Sequence, residues 1–477
     1  MKKLITIFLL PLLILGACKK DLTDVNVDPK SPLTYPSGAF FTGAQKNMSD
    51  LLQSTNVNTN IFKLVVQYWT ETTYTDESNF DLGTRQIPRQ MWNAIYRDVI
   101  RDLREAKTLI PEETLSPVPA EDAMLKQNQL AIAEIMEVYA WYYLVTTFGN
   151  VPYTESMDAE NTQPKYDDQE TIYMDLLSRL DAAIAQLDVT GESFGSADLV
   201  YGGDVEAWQK FANSFKLKMG MTIADVNATT AQQTVEEAVA AGVFTSNADN
   251  AELPYLGAPP NTNPLWVDLV QSGRKDFVVT NTLVNRLQTL NDPRLPVFAT
   301  TDNTGTGYSG GIPGASNNYA TYSKQGDAFI DPTLPGMLLS YDEVEFYLAE
   351  AVERGYNVPG TAKEHYDKAI TASINYWGES VGNYLTQPGV AYSSANWEQL
   401  IGVQKWIALY SRGWDAWIEW RRLDYPMLVK PPTALSDIPL RFTYPVPEQN
   451  LNRANYDEAS QAIGTDAVTT RLFWDMN

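Results

Sequence analysis

The chain has one cysteine, Cys18, and one histidine, His365, among its 477 residues. An intramolecular disulfide and a metal cluster of Cys and His ligands are therefore excluded, because each needs at least two such residues. A Ser-His-Asp site would have only His365 as its base. No Asp-x-Asp-x-Asn-Gly calcium loop occurs either. We expect no metal and no other cofactor, and we interpret His365 as an ordinary surface or interface residue.

Basic residues are also scarce, since 35 Lys and Arg stand against 59 Asp and Glu, a formal net charge of −24. Such a surface repels a phosphate backbone, so nucleic acid is not an expected partner. The same charge suits neutral ligands better than polyanionic ones. Because 44% of the residues are hydrophobic, the chain can nevertheless build a large core.

Long apolar runs are confined to the beginning of the chain. Lys2 and Lys3 precede a stretch from Leu4 to Leu15, which is shorter than the roughly 20 apolar residues that a membrane span needs. The sequence that follows, Leu-Gly-Ala-Cys18, resembles the lipobox of bacterial lipoproteins, whose cysteine is acylated and becomes residue one after cleavage. The pattern predicts a signal peptide over residues 1–17 and a lipidated Cys18 that anchors the protein to a lipid bilayer.

The rest of the chain is predicted to contain a tether and one domain. Residues 18–36 are polar and rich in Asn, Asp and Pro, which is typical of a flexible stalk. Residues 37–477 are expected to form a single domain. We expect helical repeats at about 92–245 and 337–425, and a loop-rich insertion at about 247–336.

Apolar residues recur at spacings of three and four in several segments, which predicts helices. The segment 130–148 is apolar on nearly every side and should be buried between its neighbours. The remaining predicted helices cover 92–107, 168–187, the region around 208–219, and 396–421.

A helical hairpin is predicted near residue 350. Ser340 with Glu343, and Thr361 with Glu364, match the Ser/Thr-x-x-Glu capping box that marks a helix start. A hairpin of about 34 residues is typical of tetratricopeptide repeats. We therefore expect a mainly α fold. Residues 247–336 differ, because they are rich in Gly, Pro, Asn, Ser and Tyr, and loops this long are usually functional.

Five motifs together resemble one family. They are Asn-Val-Pro-Tyr at 150–153, Trp-x-x-Phe-Ala-Asn-Ser-Phe-Lys-Leu at 208–217, Arg-Gly-Trp-Asp-x-Trp-x-Glu-Trp-Arg at 412–421, Arg-x-x-Tyr-Pro-x-Pro-Glu-x-x-Leu-Asn at 441–452, and Tyr-Trp-Thr-Glu-Thr at 68–72. With the lipobox, they resemble the SusD/RagB family of outer-membrane lipoproteins of Bacteroidetes, in its SusD-like branch. Independently of the family, we interpret Arg441 beside Tyr444, and Trp414 with Arg421, as stacked pairs that fix the C-terminal tail.

This resemblance implies a fold and a function. The fold would be an α/α superhelix of tetratricopeptide-like hairpins packed against an irregular, loop-rich region. The function would be binding of a nutrient, mostly glycan, on the extracellular side of the outer membrane. In this family the protein is the lid of a SusC-like TonB-dependent barrel and is not an enzyme.

A sugar site needs flat apolar rings for the C–H faces of pyranoses, and planar polar groups for the hydroxyls. Two regions outside the clear helices hold that mixture. The candidate ligand-binding residues are Trp69, Tyr74, Asp76, Asn79 and Arg85 in the first region, and Tyr308, Asn317, Asn318, Tyr319 and Tyr322 in the second.

Other interpretations of these residues and of the protein remain open at this point. Trp69 follows an apolar helix and suits a core position, whereas Tyr74, Asp76 and Asn79 suit a turn. A mobile loop without a ligand is the alternative for Tyr308, Tyr319 and Tyr322. The alternative functions are a peptide-binding lid of a RagA-like transporter, a scaffold for partner proteins, and a glycosidase, which needs only two carboxylates.

Overall fold

The computed structural model describes residues 35–476, and helices account for most of its secondary structure. The predicted signal peptide, Cys18 and nearly all of the predicted tether lie outside the described residues. The expectation of a mainly α fold is confirmed. The helices of six or more residues are Ser37–Gln53, Ile87–Asn93, Arg101–Leu109, Pro119–Phe148, Gln169–Gln186, Val205–Thr222, Ala228–Ala241, Asn281–Leu290, Tyr341–Glu353, Ala362–Tyr376, Trp397–Ala408, Gly413–Leu423, Val446–Leu451 and Arg453–Ala462.

The central helix, Pro119–Phe148, is buried on all sides over most of its length. Its apolar part was predicted correctly, but the helix begins eleven residues earlier than expected. The added turns mix charged and amide side chains with Ala, Met and Leu, and only Asn128 and Gln129 among them are buried, so they carry no continuous apolar stripe that could reveal them. Proline occupies the first helical position, where its missing N–H costs nothing.

The first predicted repeat helix is longer than expected and irregular. Ile87–Asn93 continues as a π-helical segment, Ala94–Ile100, and then as Arg101–Leu109. A π segment inserts an extra residue into the turn and is found mostly at functional or strained positions. Apolar periodicity alone does not reveal it, because the buried side chains still recur at similar spacing.

The predicted hairpin is present, but only one of its two capping boxes forms. Thr361 and Glu364 make both reciprocal hydrogen bonds at the start of Ala362–Tyr376. Ser340 caps nothing, because its hydroxyl accepts a hydrogen bond from Arg412, and Glu343 pairs with Arg412 instead of turning back.

His365 was interpreted as a surface or interface residue, and the surface alternative is wrong. Its side chain is buried in the second helix of the hairpin. Nδ1 lies 2.6 Å from Glu345 Oε2 and Nε2 lies 2.7 Å from the Pro359 carbonyl oxygen. His365 therefore joins both helices of the hairpin to its turn.

The predicted helix 396–421 is two helices, Trp397–Ala408 and Gly413–Leu423. Arg412 between them has non-helical backbone angles. At Gly413 a Cβ would lie 2.6 Å from the backbone nitrogen of Lys63. A side chain at residue 413 would therefore collide with the segment at Lys63, a contact beside the helix break that apolar periodicity within one segment cannot show.

Two small antiparallel sheets lie in and around the loop-rich region. Strand β1, Trp69–Glu71, pairs with strand β3, Phe277–Val279. Strand β2, Ala251–Leu253, pairs with strand β4, Gly336–Leu339. Short helical segments occur at Phe62–Val65, Pro264–Trp266, Val267–Gln271 and Leu295–Phe298. Among residues 35–476, no helix combines the length and the apolarity needed to cross a bilayer.

Cationic side chains over aromatic rings hold the C-terminal tail, largely as expected. The Arg421 guanidinium lies 3.5 Å from the Trp417 ring and 4.4 Å from the ring of Trp474 in the tail. Arg441 lies 4.7 Å from the Tyr444 ring. The expected partner Trp414 stacks instead on Phe62, at 5.1 Å between ring centres.

Candidate functional site

Strand β1 leads into the first candidate region and places its side chains inward. Trp69 is 1% exposed, and its indole nitrogen donates to the Tyr410 hydroxyl at 2.7 Å. Trp69 therefore lies in the core, which was the alternative to a ligand-binding role. It offers no free ring face to a ligand.

Tyr74, just beyond that strand, points outward. Its side chain is 71% exposed, and its backbone has a φ of +56°, a left-handed conformation that is uncommon for an aromatic residue. Phe80 and Gln86 in the same loop also have positive φ. Such strain persists where the surrounding structure enforces it, and it clusters at binding sites.

A hollow of about 440 Å³, here called the Tyr74 hollow, opens beside this ring. Arg85 lines it and is held by an ion pair to the buried Glu77. The other side chains that line the hollow and carry amide or charged groups are Asn56, Asn58, Asp268, Arg274 and Asp276.

Asp76 and Asn79 have different surroundings. Asp76 is exposed at the start of a short 3-10 turn but does not line the hollow. Asn79 is 8% exposed, and its amide nitrogen donates to the carbonyls of Thr75 and Gly314, both at 2.8 Å. The turn interpretation therefore describes Asn79 well, because its side chain ties two loops together.

The second candidate region contributes one ring to a neighbouring hollow of about 390 Å³, here called the Tyr319 hollow. Tyr319 is half-buried, and the ammonium groups of Lys275 and Lys324 lie 5.5 Å and 5.3 Å from its ring centre. These cation–π contacts steady the ring. Tyr308 and Tyr322 are also half-buried but line neither hollow.

The two asparagines of this region have opposite roles. Asn317 is 5% exposed, and its amide nitrogen donates to the carbonyls of Glu71, Ile312 and Ala315. Asn318 is exposed and only accepts a hydrogen bond from the backbone of Ala320. Asn317 is thus part of the loop framework, and neither side chain lines a hollow.

The segment 274–277 joins the two hollows, since Arg274, Asp276 and Phe277 line both. Arg274 and Asp276 form an ion pair at 2.5 Å. We call the two hollows with this segment the ring-bearing face. The π-helical segment Val267–Gln271 also contributes residues to each hollow.

Burial weakens the charges behind the Tyr74 hollow. It lowers the pKa of Lys63 to about 7, against the attraction of Asp268. It raises the pKa of Asp268, against hydrogen bonds from Thr55. Burial together with the nearby Glu77 raises the pKa of Glu71 to about 8, so that this carboxyl is protonated at neutral pH. Of these three groups only Asp268 lines the hollow, together with the charged side chains of Arg85, Arg274 and Asp276.

Comparison with known proteins identifies the architecture around this face. Residues 29–445 match the model of a SusD-like family described as "Starch-binding associating with outer membrane". The chain belongs to the SusD-like family. No curated protein matches the chain.

Solved structures of SusD-like proteins share the fold over nearly the whole chain. A chitin-binding protein is 27% identical, with a TM-score of 0.79, and the match covers 92% of this chain and all of that one. A SusD homolog from Bacteroides uniformis is 24% identical, with a TM-score of 0.80 and coverage of 92% and 99%. A chitin-binding SusD homolog from Flavobacterium johnsoniae is 23% identical, with a TM-score of 0.76 and coverage of 93% and 98%.

Several residues of the ring-bearing face escape sequence reasoning in this SusD-like chain. Arg274, Lys275 and Asp276 form a charged turn before strand β3, and that charge cluster was the one available signal. Asn56 and Asn58 lie in another loop, and only the fold brings them to Tyr74. Within residues 35–476, no three His, Cys, Asp or Glu side chains are grouped to hold a metal ion.

Proposed function

We propose that this SusD-like chain is a cell-surface lipoprotein that binds an oligosaccharide through its ring-bearing face and does not hydrolyse it. The observation that carries the proposal is the pair of hollows presenting Tyr74 and Tyr319 beside amide and guanidinium groups. Tyrosine rings supply rigid contact area for the C–H face of a sugar at low entropic cost.

The proposed ligand class is a neutral glycan, with oligomers of N-acetylglucosamine as the first probe. The net charge of −24 favours an uncharged ligand over a polyanionic one. The family description names starch, and the relative with 27% identity is a chitin-binding protein. Both support a glycan over a peptide.

Calorimetric titration of the full-length protein in detergent with chitohexaose and maltohexaose tests the proposal. We expect micromolar binding of one of them, about −8 kcal/mol. Replacing Tyr74 or Tyr319 by Ala should weaken it at least tenfold. Leu451→Ala is the control, because Leu451 is equally exposed but lines neither hollow.

Two results would redirect the proposal. Heat with a peptide and none with any glycan would favour the peptide-binding alternative. Shortened sugars released by the purified protein, detected by chromatography, would favour the glycosidase alternative.

The cellular arrangement is part of the same proposal. Cleavage after Ala17 and acylation of Cys18 would leave a lipid anchor, a tether to residue 36 and one binding domain from residue 37. The domain would face outward and close over a SusC-like TonB-dependent barrel. Metabolic labelling with an alkyne fatty acid should mark the wild type and not Cys18→Ser. Affinity purification from membranes should recover a barrel of that class.

A further inference from the structure

A groove of about 560 Å³ lies apart from the ring-bearing face and shares no lining residue with it. One wall is the helix Asn281–Leu290, and the opposite wall contains Ile312 and Pro313 together with the segment 429–432, Val-Lys-Pro-Pro. We call it the Arg286 groove. None of the candidate residues from the sequence lines it.

The helix presents polar groups to the groove in a regular row. Its buried residues are Leu283, Val284, Leu287 and Leu290, which fix the opposite face in the core. Residues one turn apart then align along the free face. The row that lines the groove is Asn281, Thr282, Asn285, Arg286 and Thr289.

Three of these side chains have no partner within residues 35–476. The Arg286 guanidinium and the side-chain amides of Asn281 and Asn285 make no hydrogen bond or ion pair there, although Arg286 is partly buried. Most other arginines of the described chain pair with a carboxylate, Arg294 and Arg441 among them. An unpaired guanidinium beside two unpaired amides is a set of donors aimed at open space.

The groove is held in shape by Gln67. Thr282 Oγ1 donates to Gln67 Oε1 at 2.9 Å, and Gln67 Nε2 donates to the Val429 carbonyl at 2.7 Å. This clamp joins the helix to the proline-containing wall. A groove whose walls are already tied needs little reorganisation to bind.

Charge sets this groove apart from the rest of the surface. Among the described residues, its lining includes two cations, Arg286 and Lys430, and no carboxylate, in a chain with a net charge of −24. Lys430 pairs with the exposed Asp437 at 3.0 Å, so Arg286 supplies the free positive charge. An anion is the ligand that this charge pattern attracts.

We propose that the Arg286 groove is a second ligand site, for a sugar unit that carries a carboxylate. The planar guanidinium matches a carboxylate with two parallel hydrogen bonds. The amides of Asn281 and Asn285 match neighbouring hydroxyls. The wall of Ile312, Pro313 and Pro431 covers the apolar face of the ring. This proposal holds whichever neutral glycan the ring-bearing face takes.

The proposed second site is tested by calorimetric titration of the full-length protein in detergent with tetragalacturonate. Chitotetraose is the neutral probe of equal length. We expect tetragalacturonate to bind, and Arg286→Gln to weaken that binding at least tenfold. Arg286→Lys should recover part of the loss, because it keeps the charge without the planar fork. Arg453→Gln is the control, since Arg453 is an exposed arginine that lines no part of the groove.

Folding of the variants is checked by thermal unfolding, which Arg286→Gln should leave unchanged because the side chain has no partner to lose among residues 35–476. Asn285→Ala should also weaken tetragalacturonate binding, but less than Arg286→Gln does. The proposal is overturned if the wild type does not bind tetragalacturonate, or if Arg286→Gln binds it equally well. Loss of tetragalacturonate binding in Tyr74→Ala would also overturn it, by placing that ligand on the ring-bearing face.

Discussion

Lys218 Nζ lies 3.0 Å from Glu343 Oε1, and both side chains are completely buried. The pair joins the helix Val205–Thr222 to the helix Tyr341–Glu353, more than a hundred residues along the chain. Asp415 accepts from Lys218 at 2.5 Å, and Arg412 donates to Glu343 at 2.6 Å. The cluster therefore crosses three helical segments of the core.

Replacing Lys218 by Met should lower the free energy of unfolding by about 3–5 kcal/mol, because it leaves the buried carboxylates of Glu343 and Asp415 short of a cation. Urea unfolding followed by circular dichroism measures this. The control is Lys363→Met, because the Lys363 side chain is 60% exposed and its pair with the half-buried Asp367 should be worth less than about 1 kcal/mol. Equal stability of Lys218→Met and the wild type would contradict the expectation.

Acid should destabilise the protein through Glu137. Burial alone would raise its pKa, but Lys107, Arg179 and Arg104 outweigh burial and lower the pKa to about 2. Because the pKa of Glu137 is lower in the folded protein than its value near 4.5 in the unfolded chain, ionised Glu137 stabilises the fold at any pH above 4.5. This stabilisation is lost as the pH falls toward 2.

Urea midpoints between pH 7 and pH 3 measure the contribution of Glu137. We expect the urea midpoint of Glu137→Gln to fall less between pH 7 and pH 3 than that of the wild type. Glu206→Gln is the control, because Glu206 is exposed and its replacement should leave the change of urea midpoint with pH as in the wild type.

The pH dependence of His365 has the opposite sign. Burial lowers its pKa, but hydrogen bonds to Glu345 and the Pro359 carbonyl outweigh this and raise the pKa above 6.5. The stabilisation is fully present below pH 6.5 and is lost as the pH rises through the raised pKa. We expect His365→Gln to remove a decline in melting temperature between pH 6 and pH 8. An identical decline in the variant would show that another group causes it.

Two neighbouring asparagines should respond differently to replacement by Ala. Asn317→Ala removes the three amide hydrogen bonds to Glu71, Ile312 and Ala315 and should cost about 1–3 kcal/mol. Asn318→Ala should change stability by less than about 0.5 kcal/mol, because its side chain is exposed. Thermal unfolding of both variants measures the difference in stability. Equal melting temperatures of Asn317→Ala and Asn318→Ala would contradict the expectation.

The helices were the predictable part of the fold. The all-round apolar segment 130–148 and the capping box at Thr361 and Glu364 are local patterns, and the structure has both. The capping box at Ser340 failed because Arg412 engages Ser340 and Glu343 from a distant segment. A local motif predicts structure only where no remote partner competes for its side chains.

The candidate site was predicted only in part. Tyr74, Arg85 and Tyr319 do line the two hollows. Trp69, Asn79 and Asn317 are of the right residue types but are buried. Residue type describes what a side chain can bind, whereas its direction depends on the strand and loops that carry it.

The sequence by itself determined that the chain is mainly helical, through apolar spacing within single segments, and that one Cys and one His exclude an intramolecular disulfide and a Cys/His metal cluster. Its motifs also carry the resemblance to the SusD/RagB family. None of these inferences depends on contacts between distant segments. The tertiary structure alone decided which rings face outward, where the helix breaks before Gly413, and that Arg286 has no side-chain partner among residues 35–476. Each of these depends on chain segments far apart in sequence that meet only in the folded protein.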